Sequence, residues 1–422
     1  MSPPIPRSDP HSAPSFAAMH ARPAHDADRR ARAAALACMI GLAVALGVGR
    51  FAFTPLLPLM LADGSIGLKA GSWLASANYA GYFVGAVSCA AVRVAPARMV
   101  RLGLAATVLL TAAMGVGHLL PVWLAVRFIA GVVSAWTFVF VSQWGLRRLA
   151  ELHAPQWSGV IYTGPGVGIV LTGLIGSALA GHRAAPGWLG FAALSAVLSV
   201  AIWRTFVATS AAGGPSPGGA VPPAAAVAQP AAAHGHRADA AWLVVLYGAP
   251  GFGYIITATF LPVIARAALP AGSPWPDLFW PMFGAALIVG ALAAARLPAH
   301  WDNRLLLALG CATQALGIAA GIAWPNAAGF SVGSALLGLP FTAITLFAMR
   351  EARRLHGERA AGLMGYATAS YGVGQILGPL VAAPLVARYA SFTPVLWLAA
   401  AVLLAGAAGF AAIAVVRRHR TG

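Results

Sequence analysis

Apolar runs of about twenty residues recur along the whole chain, parted by short segments in which arginine, proline and glycine collect. A helix of that length crosses the ~30 Å hydrocarbon core of a bilayer. The runs fall near 34–61, 71–93, 99–119, 121–146, 157–181 and 187–207, and then near 241–266, 277–296, 304–324, 327–349, 360–387 and 392–416. The pattern predicts an all-α polytopic membrane protein with twelve transmembrane helices. An even number of crossings places both termini on one side.

Composition removes the competing reading of several soluble domains. Hydrophobic residues make up 59% of the 422 positions and charged residues 9%, far below the quarter that a soluble surface carries. The net charge of +17 could suggest a nucleic-acid partner, so the location of the positive charges matters. With the N-terminus placed inside, 21 of the 27 lysines and arginines lie in the two tails or the inside loops. Outside remain only Lys69, Arg183, Arg266 and Arg388, while Arg50 and Arg127 sit within spans. This is the positive-inside rule, so the charge records topology and gives no sign of nucleic acid. A multi-pass protein of a bacterial inner membrane, with both termini cytoplasmic, is expected.

Residues 1–33 lack the apolar core and cleavage site of a signal peptide and read as a disordered cytoplasmic tail. Residues 210–240, "SAAGGPSPGGAVPPAAAVAQPAAAHGHRADA", read as a flexible cytoplasmic linker. They divide a six-helix unit at 34–209 from a second at 241–416, with a short cytoplasmic tail at 417–422. The units resemble each other: "GVGRFAFTPLLP" (47–58) aligns without gaps on "GFGYIITATFLP" (251–262), and "GVGI" (166–169) on "GVGQ" (372–375). Two matches at nearly the same offset indicate a duplicated six-helix unit.

The GxG pairs are not nucleotide-binding loops, since none follows a strand with an acidic residue about 20 positions on. Gly81/Gly85, Gly164/Gly168 and Gly374/Gly378 have the GxxxG spacing that lets helices approach closely. Gly164-Pro165 and Gly378-Pro379 loosen the backbone and are candidate hinges, with a static kink as the alternative.

Two arginines carry the chemical interest. An arginine at the centre of a membrane helix costs about 2.5–3.5 kcal/mol on insertion scales. By helical rise Arg50 lies roughly 16 Å from the outer end of its span and Arg127 roughly 9 Å from its own, so one anion could bridge them. All ten acidic residues fall in tails, loops or span ends, leaving no deep carboxylate to neutralise either arginine. Each must use backbone carbonyls, water or an anionic ligand. Asn78, Tyr79, Tyr82, Tyr162, Tyr254, Thr257, Tyr366 and Tyr371 are candidates for the same cavity, with ordinary interhelical packing as the alternative. Tyr254 occupies the repeat position of Arg50.

No enzyme constellation is found. Histidines lie in tails, loops and span ends without HExxH or paired-carboxylate spacing, and Cys38, Cys89 and Cys311 form no metal or disulfide pattern. No cofactor or metal is expected.

The segments "GVGRFAFTPLLPLM", "WLASANYAGYFVGA", "RFIAGVVSAWTFVF", "YGAPGFGYIITATFLPVIAR" and "YGVGQILGPLVA" resemble the YbfB/YjiJ-type branch of the major facilitator superfamily (MFS). The resemblance extends over essentially all twelve spans and implies the MFS fold of two six-helix pseudo-repeats, working by alternating access. Arg127 and Gly131 match the superfamily's span-four RxxxG motif, whose arginine is tied to proton coupling in some drug antiporters. The loop that usually reads GxLxDRxGRR is here "GAVSCAAVRVAPARMV" (85–100), which keeps Gly85, Arg93 and Arg98 but no aspartate. Its second copy retains Arg296 and Arg304, with Asp302 displaced.

These readings lead to a monomeric secondary transporter of a small solute. The favoured substrate is an organic anion held by Arg50, with Arg127 as the second ligand and proton coupling as a hypothesis. An exporter of hydrophobic drugs or metabolites is the alternative, and a non-transporting receptor or scaffold the alternative of another class.

Overall fold

A computed structural model describes residues 16–206, 234–298, 300–357 and 360–421, and among them there is no strand. α1 joins Phe16–Leu42 to a π-helical stretch, Ala43–Val48, and after a turn at 49–52 resumes as Phe53–Ala62. Then follow α2 (Leu68–Ser88), α3 (Pro96–Val116) and α4 (Leu120–Glu151). α5 begins with short turns at 155–161 and continues as Gly164–Ala178; α6 is Ala184–Trp203. The second half holds α7 (His234–Ala268), α8 (Trp275–Arg296) and α9 (Asn303–Ala323). α10 comprises Ala327–Gly338 and Phe341–His356, and α11 (Ala360–Tyr389) and α12 (Thr393–Thr421) complete the chain.

The expected disordered tail at 1–33 is helical from Phe16, and residues 1–15 lie outside the described residues. Of the expected linker, 210–233 also lies outside them, and α7 begins at His234.

Eleven of these helices are long and apolar enough to cross a membrane. The twelfth, α2, has the length but carries Ser72, Ser76, Asn78, Tyr79 and Tyr82. Those polar groups have a destination: α2 packs against α4 on one side and against α11 of the other half on another. Trp73, Val84 and Val87 stay exposed on the remaining face, so α2 keeps an apolar stripe while its packed faces lower its mean hydropathy.

The duplication is visible in how the helices cross. A Cβ added to Gly81 of α2 would overlap the carbonyl of Phe128 in α4, and one on Gly131 of α4 would overlap that of Asn78 in α2. Gly290 of α8 meets Leu339 of α10, and Gly338 of α10 meets Phe283 of α8, in the same way. Gly85 adds a second contact on Val132 of α4. Without a solvent-driven hydrophobic effect between helices in lipid, such close backbone approach is what holds a pair.

The two halves are not identical where hinges were expected. α5 is broken just before Gly164, with Pro165 in the first turn of the segment that follows, where a missing N–H costs nothing. α11 runs continuously through Pro379, and Gly378 packs against Ile255 of α7.

Loops with many arginines gather at one end of the bundle. There Trp157 donates to Asp28, Arg101 to the carbonyl of Trp203, and Arg350 to that of Leu297. At the opposite, arginine-poor end Asp63 accepts from the backbone N–H of Ala184. Arg93 and Arg98 are exposed. In the second half Glu351, 1% exposed, instead gathers Arg354 and Asn303 (2.6 and 3.4 Å), with Arg304 at 3.9 Å.

Asp302 caps α9 by accepting from the N–H of Arg304, whose guanidinium it also binds. Burial pushes its carboxyl up, but these hydrogen bonds outweigh burial and hold it below the ordinary 3.8. A carboxylate held low stabilises the fold above that ordinary value and loses this as pH falls through the depressed one. Asp302→Ala is therefore expected to cost about 1 kcal/mol at pH 7, with the difference from wild type shrinking in melts taken below about pH 3.8.

Candidate functional site

The halves meet along α2–α11, α5–α8 and α1–α7. Among the described residues, four hydrogen bonds cross between them: Arg50 to Gln375, Thr54 to the carbonyl of Ala258, Ser76 to that of Ile376, and Tyr79 with Thr259. All lie between the middle of the bundle and its arginine-poor end. Gly173 against Pro281 closes α5 on α8 at the same end.

Arg50 is placed by a local defect. Around Gly47 and Gly49 α1 widens to π geometry, with Gly49 and Phe51 donating five residues back to Val44 and Leu46. Pro55 has no N–H, and Thr54 donates to Phe51 rather than to Arg50. The carbonyls of Gly49 and Arg50 are taken instead by Arg127 of α4, through Nη1 at 3.4 Å and Nη2 at 3.2 Å. Arg127 also lies over Phe53, and its own carbonyl accepts from Asn78 at 2.9 Å. The structure thus brings the two arginines together, but with Arg127 gripping the backbone that carries Arg50.

Replacing Arg127 with leucine is expected to leave these buried carbonyls without a donor, at about 1–3 kcal/mol each. Amide exchange should rise over residues 50–54 while the rest of α1 stays protected. Arg127→Lys restores only part of the protection, because a point charge cannot fork between two carbonyls.

The Arg50 side chain is 5% exposed and points into the seam between the halves. It lies over Tyr82 at 4.1 Å and near Phe51 and Tyr79 at 5.2 Å. Its Nη2 donates to Oε1 of Gln375 at 2.9 Å, and its Nε has no hydrogen-bond partner. No carboxylate reaches it among the described residues. Gln375 in turn donates to the hydroxyl of Tyr254. Tyr254 and Tyr371 stack with centroids 5.9 Å apart, Tyr247 stacks on Tyr371 at 4.9 Å, and Phe341 meets Tyr254 edge-on at 4.9 Å. One side of the guanidinium therefore faces a wall of π surface.

The other expected site residues are divided. Asn78, Tyr79, Tyr82, Tyr254 and Tyr371 belong to this constellation. Tyr162 does not: it tilts against Phe138 within the cluster that α1, α4 and α6 form toward the arginine-rich end. Thr257 faces away into the second bundle, with its hydroxyl unpartnered in a cavity of about 20 Å³ beside Leu261, Ser334 and Leu396. Tyr366 is 59% exposed. Gln375 and Thr259 went unnoticed in the sequence. Gln375 carried a signal, for it stands where the first repeat has Ile169.

The twelve helices among the described residues form two like halves with polar groups converging on the seam between them, the arrangement of a membrane transporter of the major facilitator type. The family described as the uncharacterised MFS-type transporter YbfB matches residues 42–410, and the chain belongs to that family. Two solved structures share the fold. The nucleoside transporter NupG (D323A mutant) superposes with a TM-score of 0.68 at 15% identity, covering 90% of this chain and 99% of its own. A D-xylose-proton symporter superposes at 0.66 and 12% identity, covering 90% and 96%. No curated protein matches the sequence significantly.

Proposed function

We propose that this transporter moves a small organic anion, with Arg50 as its ligand, by alternating access of the two halves about the seam. The observation that carries the reading is the Arg50 guanidinium: buried between the halves, with, among the described residues, a neutral amide as its acceptor and its Nε unpartnered. A buried cation without a carboxylate is costly, and an anionic ligand is the partner that relieves the cost. The surrounding aromatic faces suit a substrate with a planar or apolar body behind its charge. Arg127 acts through the backbone that presents Arg50.

The hydrogen bonds that cross the seam lie toward the arginine-poor end, which favours parting of the halves at the arginine-rich end first. The charge of that end favours a cytoplasmic position in a bacterial inner membrane.

The test is uptake of radiolabelled benzoate, propionate and succinate into proteoliposomes, beside uncharged benzamide and propionamide. Saturable uptake of a carboxylate but not of its amide supports the reading. Equal handling of acid and amide, or transport of neither, defeats it.

A further inference from the structure

We propose that Gln375 is a built-in stand-in for the substrate: its amide oxygen occupies the carboxylate position on Arg50, and the arriving anion displaces it, loosening one bond between the halves. This rests on the anion reading of Arg50 and goes beyond it by naming the residue that couples binding to movement.

The geometry fixes which end of the amide faces the arginine. A guanidinium has five donors and no acceptor, so only Oε1 can meet it, and Oε1 does so at 2.9 Å. The amide nitrogen then donates to the Tyr254 hydroxyl. Both polar ends of a side chain only 3% exposed are thereby occupied, while the guanidinium charge itself stays unneutralised. A carboxylate forms charge-assisted, bidentate bonds to arginine that are roughly twice as strong as neutral ones. It therefore outcompetes the amide, whereas a neutral solute of similar size does not.

The displaced bond is one that crosses the seam. Arg50 belongs to α1 of the first half and Gln375 to α11 of the second. The other crossing bonds, at Thr54, Ser76 and Tyr79, do not use the Arg50 guanidinium. Loss of the Gln375 bond thus weakens the seam at the level of the substrate while the arginine-poor end stays latched.

The duplication makes the placement informative. In the first repeat the corresponding residue is Ile169, which packs on Gly284 of α8. A glutamine in place of a buried apolar residue, opposite an arginine whose repeat position holds Tyr254, is a matched pair of departures from symmetry.

The experiment is a thermal-shift titration of the purified full-length protein with benzoate and with propionate, chloride serving as the ionic control. Wild type is compared with Arg50→Gln, Gln375→Met, Gln375→Leu and Gln375→Glu. Removal of the competing amide should make Gln375→Met bind the carboxylates about tenfold more tightly than wild type, the effect of one hydrogen bond to a charged group. Gln375→Glu supplies a permanent carboxylate and should lose the shift. Gln375→Leu is the second apolar variant should methionine fail to yield a monodisperse protein. Unchanged or weaker binding in the apolar variants overturns the proposal, as does a wild-type response from Gln375→Glu. A wild type that responds to no carboxylate overturns the anion reading and this inference with it. Binding that requires Arg50 yet ignores Gln375 overturns this inference alone.

Discussion

Arg50→Gln abolishes carboxylate-dependent transport and leaves the protein as stable as the wild type, or more so. The two halves of that expectation come from one fact. The guanidinium is buried, and among the described residues its hydrogen-bond acceptor is neutral, so in the empty protein it is a cost and not a contribution. Glutamine keeps a polar group beside Gln375 while removing the charge. A bound carboxylate loses its charge-assisted bonds, and affinity should fall about ten- to hundredfold on the magnitude of such bonds. Arg50→Lys keeps the charge but not the fork, and should transport weakly. Proteoliposome uptake and melting temperature, measured together, separate the roles. A variant that transports normally but melts early would make Arg50 structural. An exporter of hydrophobic compounds would likewise be indifferent to Arg50→Gln.

Gly290→Val is expected to be the most damaging single change to the fold, followed by Gly81→Val. Each glycine sits where any Cβ would penetrate a carbonyl of the crossing helix, Leu339 in one case and Phe128 in the other. The clash is with backbone, which cannot rotate aside as a flexible side chain can. Overpacking of this kind costs typically 1–3 kcal/mol, and here the two helices must also separate along their contact. Loss of folded protein in detergent, read by size-exclusion chromatography and melting temperature, is the expected outcome. Gly190→Val is the control, since a Cβ there meets nothing within 4 Å. Equal tolerance of Gly290→Val and Gly190→Val would show that close approach of α8 and α10 is dispensable.

Much of this architecture is legible in the residues. Run length and low charge fix the helices because the bilayer admits only segments that satisfy their own backbone, and the offset of "GVGRFAFTPLLP" from its second copy reveals the duplication. Glycine spacing marks the close crossings, although not which helix each glycine would meet. Arg50 is conspicuous because a cation within an apolar run is visible without coordinates.

Its setting is not visible. Arg50 and Gln375 lie 325 residues apart, and nothing local records that α1 of one half faces α11 of the other. The same limit explains Tyr162 and Thr257: each has a suitable side chain at a suitable depth, but a helix turns 100° per residue and depth does not fix azimuth. Arg127 looked like a partner for Arg50 in binding an anion. Only the fold shows its guanidinium spent on the carbonyls that Pro55 and the π-turn set free. Sequence alone thus determined the class, the halves and the exceptional cation, because hydropathy and charge act locally against the lipid. Tertiary structure decided what the cation touches, because helix rotation and the pairing of the halves arise from packing between distant segments.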